Sequence, residues 1–416
     1  MKSYDTPPLS WDDLVPYLLK SGADILNLSS GNPVIQEEVV ATLEQYYRKV
    51  LNSKRLRDIV YQYNQPQGYP PLRELLASLY SKEYGIPLSV DNIMITPGSQ
   101  ATFYYISELS RRSGRSVYFP CGPEYPGYRT HPDPLYHMER PLIHRTEDHC
   151  FSYRLNPHPA EIPKDLLFMI LSSPGNPTGK VFSSQEIGEL QEACERRQAY
   201  LLIDGAYTRP VPGILFTEMN LSWTQQTILS LSLSKAGLAG ERIGVVVASS
   251  DIIKSLTEIQ TKFSILSPRL VQFVVAEMLS DGTYQRLSQE VILPCYVERY
   301  KTASEALKSI MPASIPYYLY KSGGGPFLWL WFAELPQSSN TLFFKLLKKN
   351  LIVMPSSVFY LPHLHHWPHA HQCFRIGLIE EPAQITRAIE ILSKTITDTY
   401  RAKGMAGSHG QEAIIR

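Results

Sequence analysis

The only lysine in the segment LSLSKAGLAGERIG (231–244) is the first residue whose position suggests chemistry. Lys235 stands among serines and glycines, with the apolar runs TILSLSL before it and IGVVVAS after it. A buried ammonium group is costly unless it is paired or used in a reaction. Taken alone, the segment fits a lysine at a strand end with its ammonium in solvent better than it fits a catalytic lysine.

A first polar cluster, TPGSQ (96–100), lies between a predicted strand and a predicted helix. The backbone N–H groups of Gly98, Ser99 and Gln100 would then point out of the helix N-terminus, which favours binding of a phosphate. Gly-Ser turns before helices are common, so the alternative is an ordinary turn.

Two further clusters follow apolar strands and carry side chains that could orient a ring. In SSPGNPTGK (172–180) the prolines restrict the backbone, so Asn176 would be held in one direction, although a rigid loop is an equally good interpretation. In YLLIDGAYT (200–208) a strand runs into Asp204, and Tyr207 follows three residues later. A carboxylate at this position either has a cationic or hydrogen-bonding partner or caps the next helix.

Together with Lys235, these clusters supply the groups that pyridoxal 5′-phosphate needs. Lys235 would bind the cofactor covalently, and Asp204 would keep the ring nitrogen protonated so that the ring accepts electrons. Asn176 and Tyr207 would form hydrogen bonds with the phenolate oxygen of the ring. The groups predicted to hold the phosphate are Ser232, Arg242 through a bidentate contact, and the amides of Gly98, Ser99 and Gln100.

The elements around these clusters predict an α/β fold with a mostly parallel sheet and a second, smaller α+β domain. From about residue 70 to 290, uniformly apolar strands alternate with amphipathic helices, as in a sheet covered on both faces. Ligands of such sheets bind beyond the carboxyl ends of the strands. Later strands are predicted at IVMPSSVFY (352–360) and CFRIGLI (373–379). The predicted division of the chain is a large domain at 50–292, a small domain from 12–49 and 293–402, and a frayed tail at 403–416.

Composition argues against several other classes of protein. Forty basic residues balance thirty-nine acidic ones, so neither nucleic acid nor an acidic membrane surface is expected as the main partner. The five cysteines are scattered, which fits a reducing compartment. We see no secretory signal and no apolar run of about eighteen residues, so we expect a cytoplasmic protein.

The motifs N-P-T-G (176–179), D-x-A-Y (204–207) and S-x-S-K…G-x-R-x-G (232–244), in this order, resemble those of the class I/II aminotransferases of fold type I. The resemblance extends over nearly the whole chain. It implies that Tyr63, in YNQPQGYPPLRE, reaches the cofactor phosphate of a neighbouring subunit, and hence a homodimer with shared sites. It also implies that Tyr125, in PEYPGY, stacks on the cofactor ring.

The same resemblance implies how the substrate is held. Arg375, in CFRIGL, would bind the α-carboxylate of the amino acid together with Asn176, and the loop of Gly31, in LSSGNP, would close over it. Lys235, Asp204 and Tyr207 would be the catalytic residues of a ping-pong amino transfer.

Closer features resemble one subgroup of the family: IDGAYTRPVPGILF, GPFLWLWF, HHWPHAHQCFRIG and a Lys235–Arg242 spacing one residue shorter than usual. They imply transfer between L-valine, or a similar small apolar amino acid, and the pyruvate/alanine pair. One alternative is an acidic or aromatic donor, with Arg269 as a second cation. Others are a C–S lyase or decarboxylase on this scaffold, and the effector domain of a transcription regulator.

Five of the eleven histidines fall within LPHLHHWPHAHQC. A zinc site would be one interpretation, but no cysteine or carboxylate pair accompanies them at ligand spacing. We expect no metal here, and instead a structural or substrate-gating loop in which His369 and His371 lie nearest the pocket. The other members of the cluster are His363, His365 and His366.

Overall fold

A computed structural model describes residues 7–20, 22, 24–63, 65–131, 135–146, 148–159 and 162–404. Its strands are β1 (Leu26–Asn27), β2 (Ile93–Thr96), β3 (Ser116–Phe119), β4 (Tyr136–Met138), β5 (Leu142–Thr146), β6 (Cys150–Arg154), β7 (Leu166–Ser172), β8 (Tyr200–Asp204), β9 (Thr227–Ser232), β10 (Gly244–Val247), β11 (Tyr317–Tyr320), β12 (Phe327–Phe332), β13 (Leu351–Ile352), β14 (Met354–Pro355) and β15 (Cys373–Gly377). Its helices are α1 (Trp11–Leu18), α2 (Glu37–Leu51), α3 (Leu56–Tyr61), α4 (Pro70–Tyr84), α5 (Ser99–Ser113), α6 (Ser184–Glu195), α7 (Ser250–Phe263), α8 (Leu270–Ser280), α9 (Thr283–Leu287), α10 (Leu293–Ile310), α11 (Ser339–Leu347) and α12 (Pro382–Arg401).

The larger sheet has seven strands in the order β2-β10-β9-β8-β7-β3-β4. All neighbouring pairs are parallel except those of β10, which is antiparallel to both β2 and β9. Helix α5 connects β2 to β3, and α6 connects β7 to β8. The α/β class with a mostly parallel sheet is therefore confirmed.

Helices cover both faces of this sheet, which explains why its strands are apolar throughout. Successive side chains of a strand point to opposite faces. Leu201 and Ile203 of β8 enter one apolar cluster, and Leu202 enters another. Both faces are therefore buried, as the uniform apolar pattern predicts.

The second sheet joins strands that are distant in the sequence, in the order β14-β15-β12-β11-β6-β5. The hairpin β5–β6 falls within the predicted large domain at 50–292, yet it pairs through β6 with β11 at Leu319–Cys150. The proposed boundaries at 12–49, 50–292 and 293–402 stay a prediction, and this hairpin links the last two ranges.

One predicted strand is shorter than expected. The segment 352–360 contains the last residue of β13 and the two-residue strand β14, followed by a 3₁₀ turn at Ser356–Phe359. The Ser356 hydroxyl donates to the carbonyl of Ala370 and accepts from the N–H of Cys373, so local hydrogen bonds replace a ladder here. Of the predicted tail 403–416, all but residues 403 and 404 lie outside the described residues.

Within the ranges given above, none of the helices combines the length and apolar character needed to cross a bilayer.

Candidate active site

Polar residues meet at one edge of the larger sheet because the strands are in register there. Ser172 at the end of β7 pairs with Asp204 at the end of β8, and Asp204 pairs with Ser230 of β9. Gly244, at the start of antiparallel β10, pairs with both Ser232 and Thr96. The clusters that follow these strands therefore lie side by side, as expected for the carboxyl edge of an open sheet.

Lys235 lies in a short 3₁₀ turn just after β9 and points into this edge. Its Nζ donates a hydrogen bond to the carbonyl of Gly31 from the N-terminal loop. Burial, together with the positive charges of Arg375 and Arg242, lowers the pKa of Lys235 to about 8, whereas Asp204 opposes the shift. A lysine amine with this pKa is partly neutral near neutral pH and can act as a base or a nucleophile.

Asp204 is only 6% exposed and accepts two hydrogen bonds. The Tyr128 hydroxyl donates to Oδ2 at 2.7 Å, and the N–H of Ala206 donates to Oδ1 at 3.0 Å. Burial raises the pKa of Asp204 to about 6, while both hydrogen bonds and Lys235 lower it. Sequence reasoning missed Tyr128, although it is the second tyrosine of the quoted motif PEYPGY.

Arg375, in β15 of the second sheet, contacts Asn176, which lies in the loop after β7 of the larger sheet. Nη1 of Arg375 donates to Oδ1 of Asn176 at 2.8 Å, and Nη2 donates to the carbonyl of Ser29. The guanidinium lies 4.1 Å from the ring centroid of Phe327 and 5.3 Å from that of Phe359, neither of which was predicted to contact it. Burial lowers the pKa of Arg375 to about 10, and its Nε has no partner among the described residues. A buried arginine with a free donor is suited to bind a carboxylate.

Glycines bring the backbone close to Arg242 at the start of α5. Gly98 caps α5 with φ +80°, and a Cβ there would collide with the guanidinium of Arg242. A Cβ on Gly244 would lie 2.7 Å from the N–H nitrogen of Ser99. Arg242 itself has φ +52° and donates to the Ser234 hydroxyl at 3.4 Å. A positive φ in a non-glycine residue is strained and is frequent at functional sites.

We call the close approach of Gly98, Gly244 and Arg242 the cradle, and the remaining predicted residues lie around it. The Tyr125 hydroxyl donates to Oε1 of Gln100 at 3.3 Å, and Nε2 of Gln100 donates to the carbonyl of Gly127. The Ser232 hydroxyl accepts from the N–H of Ser234. Tyr207 is buried with its ring edge-on to that of Phe327, 6.0 Å away, and burial raises its pKa.

Two residues named from the sequence lie away from this cluster in the single subunit. Tyr63 is 82% exposed on the surface. Arg269 donates to the carbonyls of Asp58 and Gln62 near α3. Whether either residue reaches the site of a second subunit stays a prediction.

A cleft of about 820 Å³ opens beside Tyr125. Its walls include Trp11 of α1, Arg129, Val358 and His365. Arg129 donates to the carbonyl of Val358 at 2.7 Å. The cleft gives a small molecule a route towards the ring of Tyr125.

The histidines of this cluster contact different partners rather than one common point. His369, expected near the pocket, is buried among aromatic rings, where its Nε2 lies 2.6 Å from the Tyr153 hydroxyl. Burial lowers the pKa of His369 to about 3. His371 contacts the carbonyl of His365, and it is His365, rather than His369 or His371, that lines the cleft. The residues with described coordinates contain no group of three metal-ligating side chains.

These observations test whether pyridoxal phosphate fits the site. The close approach at Gly98 and Gly244 places the Arg242 guanidinium beside the N-terminus of α5, and both groups favour binding of an anion such as a phosphate. Lys235 supplies an amine of lowered pKa, and Asp204 a buried carboxyl. The residues present therefore fit the cofactor, and fold and site together have the character of a fold type I enzyme that uses it.

Comparison with known proteins identifies the family. The family model "Aminotransferase class I and II" matches residues 23–392. Valine–pyruvate aminotransferase of Escherichia coli (strain K12) is 31% identical over 395 residues, which are 93% of this chain and 94% of the relative. The chain belongs to the class I and II aminotransferase family and is a pyridoxal-phosphate-dependent aminotransferase.

Solved structures agree with this assignment. A putative amino-acid aminotransferase from Psychrobacter arcticum 273-4 has a TM-score of 0.88 at 27% identity, covering 96% of this chain and 99% of that one. Valine–pyruvate aminotransferase from Salmonella typhimurium LT2 has a TM-score of 0.83 at 30% identity, covering 91% and 96%. Both chains are matched over nearly their full length, so the likeness includes both sheets.

Proposed function

We propose that this aminotransferase exchanges the amino group of L-valine, or a similar small apolar amino acid, with the pyruvate/alanine pair. The observation that carries the proposal is the aromatic wall formed by Phe327 and Phe359 on the guanidinium of Arg375. An α-carboxylate bound to Arg375 would place the substrate side chain near these rings, which favours an apolar group. The similarity to two valine–pyruvate aminotransferases supports the same donor.

The proposed roles of the residues follow from their contacts. Arg375 and Asn176 bind the α-carboxylate and so orient the bond between Cα and its hydrogen. Pyridoxal phosphate, when bound, would supply an electron-accepting ring attached at Lys235. Asp204, held by Tyr128, would keep a positive charge on the ring nitrogen.

Lys235 is proposed to move the proton as well as to hold the cofactor. Its amine lies between Gly31 and the two arginines, where burial and positive charge lower its pKa to about 8. When the Lys235 amine is not attached to the cofactor, it would accept the proton of the substrate Cα at its Nζ. Tyr207 and Asn176 would bind the ring oxygen, and Ser232, Arg242 and the amides of Gly98, Ser99 and Gln100 would bind the phosphate.

We also propose a cytoplasmic homodimer with shared sites. Tyr63 and Tyr61 are more than 80% exposed, and Val60 beside them is 65% exposed. Neighbouring exposed apolar side chains are typical of a protein interface. The five cysteines are all free thiols, which supports a reducing compartment.

The donor can be tested on the purified protein loaded with pyridoxal phosphate. We expect its visible absorption band to bleach with L-valine and to return with pyruvate. A band unchanged by valine but bleached by aspartate or glutamate would reject the apolar donor and direct attention to Arg129 and Arg269. Release of free ammonia instead of transfer to pyruvate would identify a lyase.

Lys235→Ala is the variant that tests the site itself. We expect it to lose turnover, because the proposed base and the point of attachment are both removed, and added small amines to restore part of it. The single variant Lys262→Ala serves as the control, because Lys262 is an exposed lysine near the end of α7. Full activity of Lys235→Ala would contradict the proposal.

A further inference from the structure

A second buried carboxyl group, that of Glu124, lies next to the site and has no role in the reaction as proposed above. Glu124 is 4% exposed and precedes Tyr125 in the segment PEYPGY. Its backbone N–H donates to the carbonyl of Phe359, whose ring faces Arg375. A carboxyl group buried to this extent is costly unless its oxygens are bonded.

Both carboxyl oxygens of Glu124 contact Ser172. Oε1 accepts from the N–H of Ser172 at 3.1 Å, and Oε2 lies 2.6 Å from its hydroxyl oxygen. The same hydroxyl oxygen accepts from the N–H of Asn176 at 3.1 Å. The Ser172 hydroxyl therefore links Glu124 to the backbone of Asn176, the residue that accepts a hydrogen bond from Arg375.

The Ser172 hydroxyl also connects Glu124 to Asp204. Ser172 and Asp204 are paired residues of β7 and β8. The Ser172 hydroxyl lies close enough to Tyr128 to lower the pKa of its hydroxyl group, and the Tyr128 hydroxyl donates to Asp204 at 2.7 Å. Two hydroxyl groups thus lie between the two buried carboxyls.

The Ser172 hydroxyl donates to an ionised Glu124, and the 2.6 Å distance between the two oxygens equally accommodates the reverse bond from a protonated Glu124. Burial, together with the charge of Asp204, raises the pKa of Glu124 to about 8, while the contacts with Ser172 oppose the shift. A protonated Glu124 would donate to Ser172 and leave the Ser172 hydroxyl hydrogen free to point to Tyr128, which donates to the Asp204 carboxylate. Every hydroxyl then has both a donor and an acceptor partner.

We propose that Glu124 is a positioning residue that acts as a neutral hydrogen-bond donor, holding Asp204 and Asn176 through Ser172 and Tyr128. This inference rests on the proposed roles of Asp204 and Asn176 in cofactor binding. It assigns to the carboxyl group of PEYPGY a function that depends on its proton rather than on its charge.

The test compares Glu124→Gln with Glu124→Leu. A glutamine amide donates where the protonated carboxyl donates, whereas leucine removes both contacts to Ser172. Pyridoxal phosphate is titrated into each cofactor-free protein at neutral pH, and its dissociation constant is read from the absorbance. We expect Glu124→Gln to stay within about twofold of wild type and Glu124→Leu to bind about tenfold more weakly, with kcat following the same order.

Ser172→Ala provides a second variant in case Glu124→Leu does not fold. It should also weaken binding about tenfold, and combining it with Glu124→Leu should add little, because both changes break the same chain of bonds. Glu108→Leu is the matched control, since Glu108 is a buried carboxyl on α5 that pairs with Arg111 and Arg112. Its cofactor affinity should remain that of wild type.

Equal damage from Glu124→Gln and Glu124→Leu would overturn the inference, since a charge rather than a proton would then matter. Wild-type affinity in both Glu124→Leu and Ser172→Ala would overturn it as well. Failure of the proposed function is a separate result: wild type itself would not bind pyridoxal phosphate, or Lys235→Ala would bind and react like wild type.

Discussion

At the scale of single residues, the site depends on charged groups held away from water. Lys235, Asp204 and Arg375 all have pKa values shifted towards the neutral form, and burial is the largest cause in each case. Shifts of this kind are frequent where side chains must exchange protons or bind a charged ligand. Each shift also affects the stability of the cofactor-free protein.

The shift of Lys235 predicts how stability changes with pH. Its folded pKa of about 8 lies below the ordinary value of 10.5, so between these pH values the unfolded chain binds more protons. Stability should therefore rise with pH in this window. Without cofactor, Lys235→Met should have a larger free energy of unfolding than wild type. This difference should be greatest below pH 8. The difference should shrink towards pH 10.5 in urea titrations, and a constant difference would contradict the shift.

Arg375→Lys should separate binding from turnover. Arginine donates from a planar fork to Asn176 and to a carboxylate, and a lysine ammonium cannot reproduce that geometry. We expect KM for the amino acid to rise by about 10- to 100-fold with a smaller change in kcat. Arg145→Lys is the control, because Arg145 also stacks on an aromatic ring, that of Trp331, but contacts none of the predicted site residues. Equal kinetics in both variants would exclude the proposed role of Arg375.

At the scale of elements, the site forms where helix α5 and strand β10 approach each other closely. Two glycines permit this approach: Gly98 before α5, and Gly244 at the first residue of β10. Strand β10 runs antiparallel to its neighbours β2 and β9, so it starts at the edge of the sheet where they end. Arg242, two residues before Gly244, is thereby brought to the N-terminus of α5.

Gly98→Ala tests this approach directly. Its φ of +80° disfavours any side chain, and the new Cβ would collide with Arg242. We expect a loss of roughly 1–3 kcal/mol in the free energy of unfolding and weaker binding of pyridoxal phosphate. Gly188→Ala within α6 is the control, since a Cβ there meets no atom within 4 Å, and it should gain roughly 0.5–1 kcal/mol. Wild-type cofactor affinity in Gly98→Ala would contradict the predicted cradle.

At the scale of the whole molecule, the proposed homodimer makes a prediction about shared sites. Lys235→Ala and Tyr63→Phe subunits are mixed, dissociated and allowed to reassociate. If Tyr63 serves the partner's site, each hybrid has one site with both residues intact, so activity at limiting cofactor should exceed that of either parent. The control mixes Lys235→Ala with wild type. No gain over the Tyr63→Phe parent would place Tyr63 in its own subunit's site or outside any site.

The sequence by itself determined the α/β class and the edge of the sheet that carries the polar clusters. Uniformly apolar strands are buried on both faces, and parallel strands end at a common edge, so TPGSQ, NPTG and Asp204 were predictable as neighbours. The place of Gly98 at the N-terminus of a helix was likewise expected.

Only the tertiary structure decided which side chains complete the site. Tyr128 and Asp204 are 76 residues apart, and Arg375 and Asn176 are 199 apart, so their contacts depend on how separate segments pack. The Glu124–Ser172 bond and the pairing of β6 with β11 arise in the same way. Local patterns record burial and backbone conformation, whereas these contacts follow from the register of strands brought together by folding, which no single segment encodes.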